Sequence, residues 1–428
     1  MYTRLHSYLH QQVSSSSLSI YRFFFGLLMS ASIFRFWWKG WIEEIYITPS
    51  FFFSYYGFEW IKPLGEFTYV IFFICFMSSL FICIGFKYRF SIIIFFLSFT
   101  YIELMDKTTY LNHYYLISSL SFLMIFLPAN ASFSLDNLIN KKKYLTTPKW
   151  TVDVIKLFIS IVYIYASISK MNSDWLFNAM PLKIWISSKY HFSFVGETLF
   201  QKEWIYYLMS WGGMLYDFFI PFLLLYSRTR LFAFVMVIVF HVLTKILFPI
   251  GMFPYIMIFS TIIFFSPNFH DKIMLKMVGA LQIVSSYFSY IKNILKNTSL
   301  EHYRYTYQKI ALFFVIIFFL FHLLTPFRYI FYPGELFWHE QGYRFSWRVM
   351  LTEKTALTNF RIFNPEDSTS FYVQNSDFLT PFQEKQMSFQ PDFILEFAHY
   401  LGDYFYETEG GQVEVYVDSY VSLNGRKS

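Results

Sequence analysis

The chain has 428 residues, 56% of them hydrophobic and only 14% charged, where a soluble globular chain carries about 25% charged residues. Its formal charge of +6 is spread along the sequence and never gathered into a basic face, which argues against a nucleic-acid partner. Aromatic residues make up 24%, more than one packed core needs. Since Trp and Tyr belong at the water interfaces of a bilayer, an integral membrane protein is expected.

Residues 1–18 are polar, long for a signal-peptide head and followed by no small-residue cleavage site. They read as a cytoplasmic tail before an uncleaved signal-anchor helix. Apolar runs long enough to cross about 30 Å of hydrocarbon then recur at 19–38, 67–86, 90–105, 113–129, 151–169, 207–226, 231–248, 252–266 and 308–325. A polytopic α-helical bundle of about nine transmembrane helices is predicted over 19–328. The seventh and eighth runs are parted only by a break at Pro249 and Gly251, so they are either two tight spans or one re-entrant hairpin. Cys75 and Cys83 lie eight residues apart in one run, about 12 Å along a helix, and are not expected to form a disulfide. Residues 270–307 suggest an amphipathic interfacial helix.

Short loops rich in Lys and Arg, at 87–89, 141–149, 228–230 and within 267–307, place their side of the bundle in the cytoplasm with the N-terminus. An odd number of spans then puts residues 329–428 outside. Turn residues, the alternating segments 360–363 and 413–423, and a helical period over 391–405 predict a small extramembrane β-rich α+β domain there.

Ionisable groups at or inside spans are costly and mark candidate sites. Lys170 ends the fifth predicted span, although a lysine there can simply snorkel to the headgroups. His113 follows Asn112 at the start of the fourth, where Asn112 can serve as an N-cap. His241 and Lys245 are spaced to share one face of the seventh. The predicted orientation brings Lys170 and His113 to the same outer mouth.

Around these residues lie long ordered motifs: DKTTYLNHYYL (106–116), SKMNSDWL (169–176), FHVLTKILFPIGMFPYIM (240–257), YRFSWRVM (343–350) and VEVYVDSYVSLNGR (413–426). In order and content the chain resembles the vitamin K-dependent γ-glutamyl carboxylase family and its bacterial relatives with the horizontally transferred transmembrane (HTTM) domain. The resemblance implies an enzyme that epoxidises vitamin K hydroquinone with O2 and uses the strong base so formed to carboxylate protein glutamate with CO2. It implies Lys170 as the base toward the hydroquinone and His113 as its assistant. Asn112, Asp174, Trp175, His241, Tyr343 and Trp347 are implied as substrate-binding residues, without a metal. The implied partners are the bilayer, a prenylated quinol and a glutamate-containing protein or peptide, and the implied setting is a bacterial inner membrane. Phe345 and Val349 depart from the family's Tyr and Met. Other readings are a transporter with His241 and Lys245 on its path, a histidine-ligated electron carrier, a silent scaffold of the same fold, or an epoxidase without carboxylase activity.

Overall fold

The computed structural model describes residues 2–189, 200, 202–285, 299–409 and 411–427. After α1 (Tyr2–His10) and β1 (Gln12–Ser14) come the long helix α2 (Ser16–Trp38), the hairpin of α3 (Thr68–Ile84) with α4 (Tyr88–Leu104), and α5 (Asn112–Ile125). The short α6 (Leu135–Asn140) and β2 (Lys142–Pro148) lead into α7 (Trp150–Ser169), α8 (Ser173–Asn178) and α9 (Leu182–Lys189). Then follow α10 (Glu203–Leu225), α11 (Arg230–Leu247), α12 (Phe253–Thr261), α13 (Pro267–Ser285), β3 (Ser299–His302) and α14 (Gln308–Leu324).

Among the described residues, six helical stretches are long and apolar enough to cross a membrane: Ser16–Trp38, Gly65–Ile84, Trp150–Ser169, Glu203–Leu225, Arg230–Leu247 and Gln308–Phe331. The other three of the nine expected spans are helical but shorter, with 17 residues in α4, 14 in α5 and 9 in α12. α4 matches its predicted run 90–105 to within two residues, whereas α5 and α12 stop short of theirs, at Ile125 and Thr261, the latter continuing only as a 3-10 turn. Gly251, with φ +59°, separates α11 from α12. The latter two are distinct helices that pack on each other. The stretch expected as an interfacial helix begins within α13, which ends at Ser285, and its residues 286–298 lie outside the described residues.

α2 runs close against α3. A Cβ on Gly26 would stand 2.4 Å from the backbone nitrogen of Cys83, so only glycine permits this approach, as is common between membrane helices. Arg22, fully buried on the same face, donates to the carbonyls of Ile82, Cys83, Ala129 and Phe133. It thereby supplies a donor to the carbonyl of Cys83 near the α3 C-terminus and a second donor to that of Ile82, which the N–H of Gly85 also reaches at 3.1 Å. Both cysteines are free.

Two sheets mark opposite ends of the bundle. β1, β2 and β3 form a three-stranded sheet that gathers the N-terminal segment, residues 142–148 and residues 299–302 at one end. At the other end, β4 (Lys354–Asn364), β5 (Thr369–Tyr372), β6 (Glu414–Leu423) and β7 (Arg426–Lys427) form an antiparallel sheet in the order β5-β4-β6-β7. Beyond the turn helix α15 (Leu336–His339), α16 (Pro381–Met387) and α17 (Pro391–Glu409) cover one face of this sheet. Phe360, Ile362, Phe393, Phe397 and Leu401 make its core, joined by Phe53 from a bundle loop.

This sheet-and-helix unit is clamped to the bundle. Lys107 pairs with Asp392 at 3.2 Å and Glu396 at 3.1 Å, and Gln383 donates to Asp106 at 3.1 Å. The DKTTY segment, expected as part of a catalytic motif, therefore also acts as a docking surface.

Candidate functional site

Lys170 is the residue just past α7, whose buried face carries Tyr163 and Ala166 at helical spacing before it. Its ammonium does not snorkel outward. Nζ turns back to donate to the carbonyl of Ala166 at 3.1 Å and to Oδ2 of Asp217, on α10, at 2.8 Å. Both side chains are more than nine-tenths buried. The ring of Trp175 lies 5.5 Å from Nζ, and its indole N–H is fixed by the carbonyl of Ser210 at 2.7 Å. An ion pair so far from water is retained only where its partners hold it tightly, because each charge loses its hydration.

The pair opens onto a narrow cavity of about 110 Å³ bounded by α7, α10, α11 and α12 and by the strip after α15. Leu116, Val162, Phe240, Phe248, Phe253 and Met257 give it apolar walls. A second polar pair faces it: His241 Nε2 lies 3.1 Å from the hydroxyl of Tyr163, while His241 Nδ1 is buried without a hydrogen-bond partner among the described residues. Asn112 lines the wall and donates to the carbonyl of Arg348 at 2.8 Å, pinning residues 343–350 onto the bundle. Trp347 lines it as well, stacked on Tyr115 with ring centroids 4.7 Å apart. That strip is held in a costly backbone conformation, with φ near +60° at Phe345, Trp347 and Met350.

Of the residues singled out in the sequence, Lys170, Asn112, Trp175, His241 and Trp347 meet around this cavity. His113 does not line it. Its ring lies 6.2 Å from that of Phe253, which forms part of the wall, and 4.7 Å from Tyr114. Asp174 faces elsewhere, accepting from Asn424 at 2.9 Å and Arg426 at 3.0 Å, so it joins the C-terminal strands to the turn that carries Trp175. Tyr343 packs beside Phe337 outside the cavity, and burial pushes its hydroxyl up to about 12. His241 and Lys245 do not act as a pair: His241 is buried, whereas Lys245 is exposed over the ring of Tyr255.

Asp217 went unmarked in the sequence reading, although it is the only charged residue between Trp204 and Leu225. The rule that flags intramembrane ionisable groups would have found it. Tyr163 carried no such signal, since tyrosine is abundant throughout. An open groove of about 850 Å³ between α17 and β6 shares no residue with the lysine cavity.

Residues 10–269 match the HTTM domain family, and residues 307–428 match the lumenal domain of the vitamin K-dependent gamma-carboxylase. No solved structure matches the chain. With more than half of its length inside the first match and the second following it in order, the chain belongs to the gamma-glutamyl carboxylase family.

Proposed function

We propose that the protein is a vitamin K hydroquinone-dependent oxygenase and carboxylase of protein glutamate. The observation that carries this reading is the buried Lys170–Asp217 pair opening onto an apolar cavity. Apolar and aromatic walls suit the ring and prenyl tail of a quinol, and the orphaned Nδ1 of His241 suits one of its oxygens. The bound quinol and O2 would supply the strong base that removes a glutamate γ-proton before CO2 adds.

The chain's own part is narrower. Lys170 accepts a hydroxyl proton as the free amine, which requires its own proton to reside elsewhere, and Asp217 is the acceptor 2.8 Å away. Asp217 and Ala166 aim Nζ into the cavity. Trp175, Trp347 and Phe253 exclude water from it, and water is what would quench a carbanion. His113, behind Phe253, supports the wall from the second layer. In this reading residues 1–18 are cytoplasmic, 19–328 form the membrane bundle, and 329–428 lie on the extracytoplasmic side of a bacterial inner membrane.

The test uses full-length protein in lipid nanodiscs with reduced vitamin K, oxygen, bicarbonate and a glutamate peptide. Wild-type protein forms epoxide and γ-carboxyglutamate. Lys170→Ala and Lys170→Arg form neither while still folding, because guanidinium stays protonated. His113→Ala, which loosens the wall behind Phe253 without touching the cavity, slows the reaction by less than about 10²-fold, below the range of a direct proton-transfer partner. Absence of epoxide from folded wild-type protein would overturn the reading.

A further inference from the structure

The four-stranded sheet ends on one side in a strand that is only partly paired. β6 pairs with β4 from Glu414 to Leu423 without a break in register, whereas β7 pairs only with Ser422 and Leu423 on its other side. Leu423 and Arg426 close this hairpin around Asn424 and Gly425, and the N–H of Asn424 donates toward β4, to the carbonyl of Glu353 at 2.9 Å. Backbone groups alternate in direction along an antiparallel strand, so the N–H and C=O of Val415, Val417 and Ser419 point away from β4. No strand pairs with them on that side among the described residues. Such an edge invites another strand, and proteins normally blunt it with lysine, proline or a bulge. Glu414–Val421 contains none of these.

One face of the same strand looks into an open groove. Val413, Val415 and Val417 line it from β6, and Ile394, Leu395 and Ala398 from α17, around about 850 Å³. Leu395 is 58% exposed there, on the helix that otherwise covers the sheet. Gly402 belongs to the same wall. A glycine inside a helix costs about 1 kcal/mol against alanine, and a Cβ on Gly402 would enter the groove toward Val415, 3.6 Å from its Cγ2. The other face of β6 carries Glu414, Tyr416, Asp418 and Tyr420, all exposed. Residues 391–423 include seven Asp or Glu and no Lys or Arg. Lys107 holds Asp392 and Glu396, whereas Asp403, Glu407, Glu414 and Asp418 have no ion pair among the described residues. Arg361, opposite Tyr416 on β4, lies 4.9 Å over its ring and is the one cation of these two strands on that face.

We propose that β6 takes a further strand from another protein, a basic extended segment in which apolar residues alternate with Lys or Arg. Residues directly opposite each other in an antiparallel ladder share a face. The partner's apolar side chains therefore enter the groove beside α17 while its cations meet Glu414 and Asp418, and its backbone bonds to Val415, Val417 and Ser419. The open edge Glu414–Ser419 offers it roughly 20 Å of ladder. The same acids repel an anionic lipid surface. Because the groove shares no residue with the lysine cavity, the segment is a docking element and not the peptide whose glutamate would react.

The probe is a fluorescent decapeptide of alternating Lys and Val, titrated by anisotropy against the full chain in nanodiscs of neutral phosphatidylcholine, with empty nanodiscs as the blank. It should bind at least about 10-fold more tightly than the counterpart with Glu in place of Lys. Methylating its Val nitrogens, which face β6, should cost at least about 10-fold, whereas methylating its Lys nitrogens, which face away, should change affinity less than about 3-fold. Gly402→Leu, which fills the groove and suits the helix, should weaken binding about 10-fold or more without lowering thermal stability. Glu414→Lys together with Asp418→Lys should reverse the preference in favour of the Glu peptide, a gain that a misfolded domain cannot show. Equal affinity for the two methylated peptides, or an unchanged preference in the charge-reversed variant, overturns the proposal. So does wild-type protein that self-associates in sedimentation and is dispersed by Gly402→Leu, since a second copy of the chain then occupies the edge.

Discussion

Lys170 and Asp217 carry opposite charges in a place where either alone would be uncompensated. Removing one partner of a buried pair typically costs about 3–5 kcal/mol, because the other charge stays buried, whereas removing both can be nearly neutral. Lys170→Ala and Asp217→Ala are therefore expected to lower unfolding stability by amounts that do not add. The double mutant should be more stable than the sum of the single losses predicts by at least about 1 kcal/mol, measured by chemical denaturation in detergent. Additive losses would mean that the two groups do not interact as a pair. Asp217 also shows why sequence alone gave half of this site. The lysine stood at a span end inside a long motif, but its partner lies 47 residues later in a run whose other residues say only that it is a membrane helix.

At the scale of elements, the joint between the bundle and the four-stranded sheet runs through Asp106. Its carboxyl accepts from the backbone of Thr108 at 2.9 Å and from Gln383 of α16 at 3.1 Å, yet burial outweighs these bonds and raises its pKa to about 6. The unfolded value is about 3.9, so between about pH 4 and 6 the folded protein holds a proton that the unfolded chain has lost. Its contribution to stability is full below about pH 4 and is lost as pH rises to 6, a change of about 3 kcal/mol at most. Asp392, held low by Arg344 and Lys107, works in the opposite sense at lower pH. In Asp106→Asn the fall in thermal stability from pH 4 to pH 6.5 should shrink relative to wild type, as followed by intrinsic fluorescence, and an unchanged slope would remove Asp106 from this role. The strand at 414–423, the middle of the strand at 354–364 and most of the helix at 391–409 were legible in the sequence as 413–423, 360–363 and 391–405, because alternation and helical period persist where one face packs on a core. The C-terminal ends of α5 and α12 were not, since an apolar turn against a neighbouring helix has the same composition as a span.

For the whole molecule, burial of the site depends on chain segments far apart in sequence. Trp347 reaches the cavity from beyond the last long helix, Asn424 and Arg426 hold the turn below Lys170 from the C-terminal end, and Asn112 fastens the strip between them. Motif order announced that these regions belong to one protein, but only the fold shows that they converge. The same convergence sharpens the question of sidedness. The small sheet of β1, β2 and β3 unites three segments at one end of the bundle, and two of them lie in or beside the lysine-rich loops 141–149 and 267–307 that charge assigns to the cytoplasm. The four-stranded sheet and the site lie at the other end. Sidedness is therefore a single choice for the entire molecule: if residue 142 faces the cytoplasm, residue 367, in the exposed turn between β4 and β5, must face outward. Asp367→Cys should react with a membrane-impermeant maleimide in intact spheroplasts, and Lys142→Cys should react only after the membrane is opened. Cys75 and Cys83, both buried, should add little background. Labelling of the two positions in the reverse order would invert the orientation and move the lysine cavity to the cytoplasmic face, while labelling of both in intact cells would contradict the arrangement of the two sheets at opposite ends.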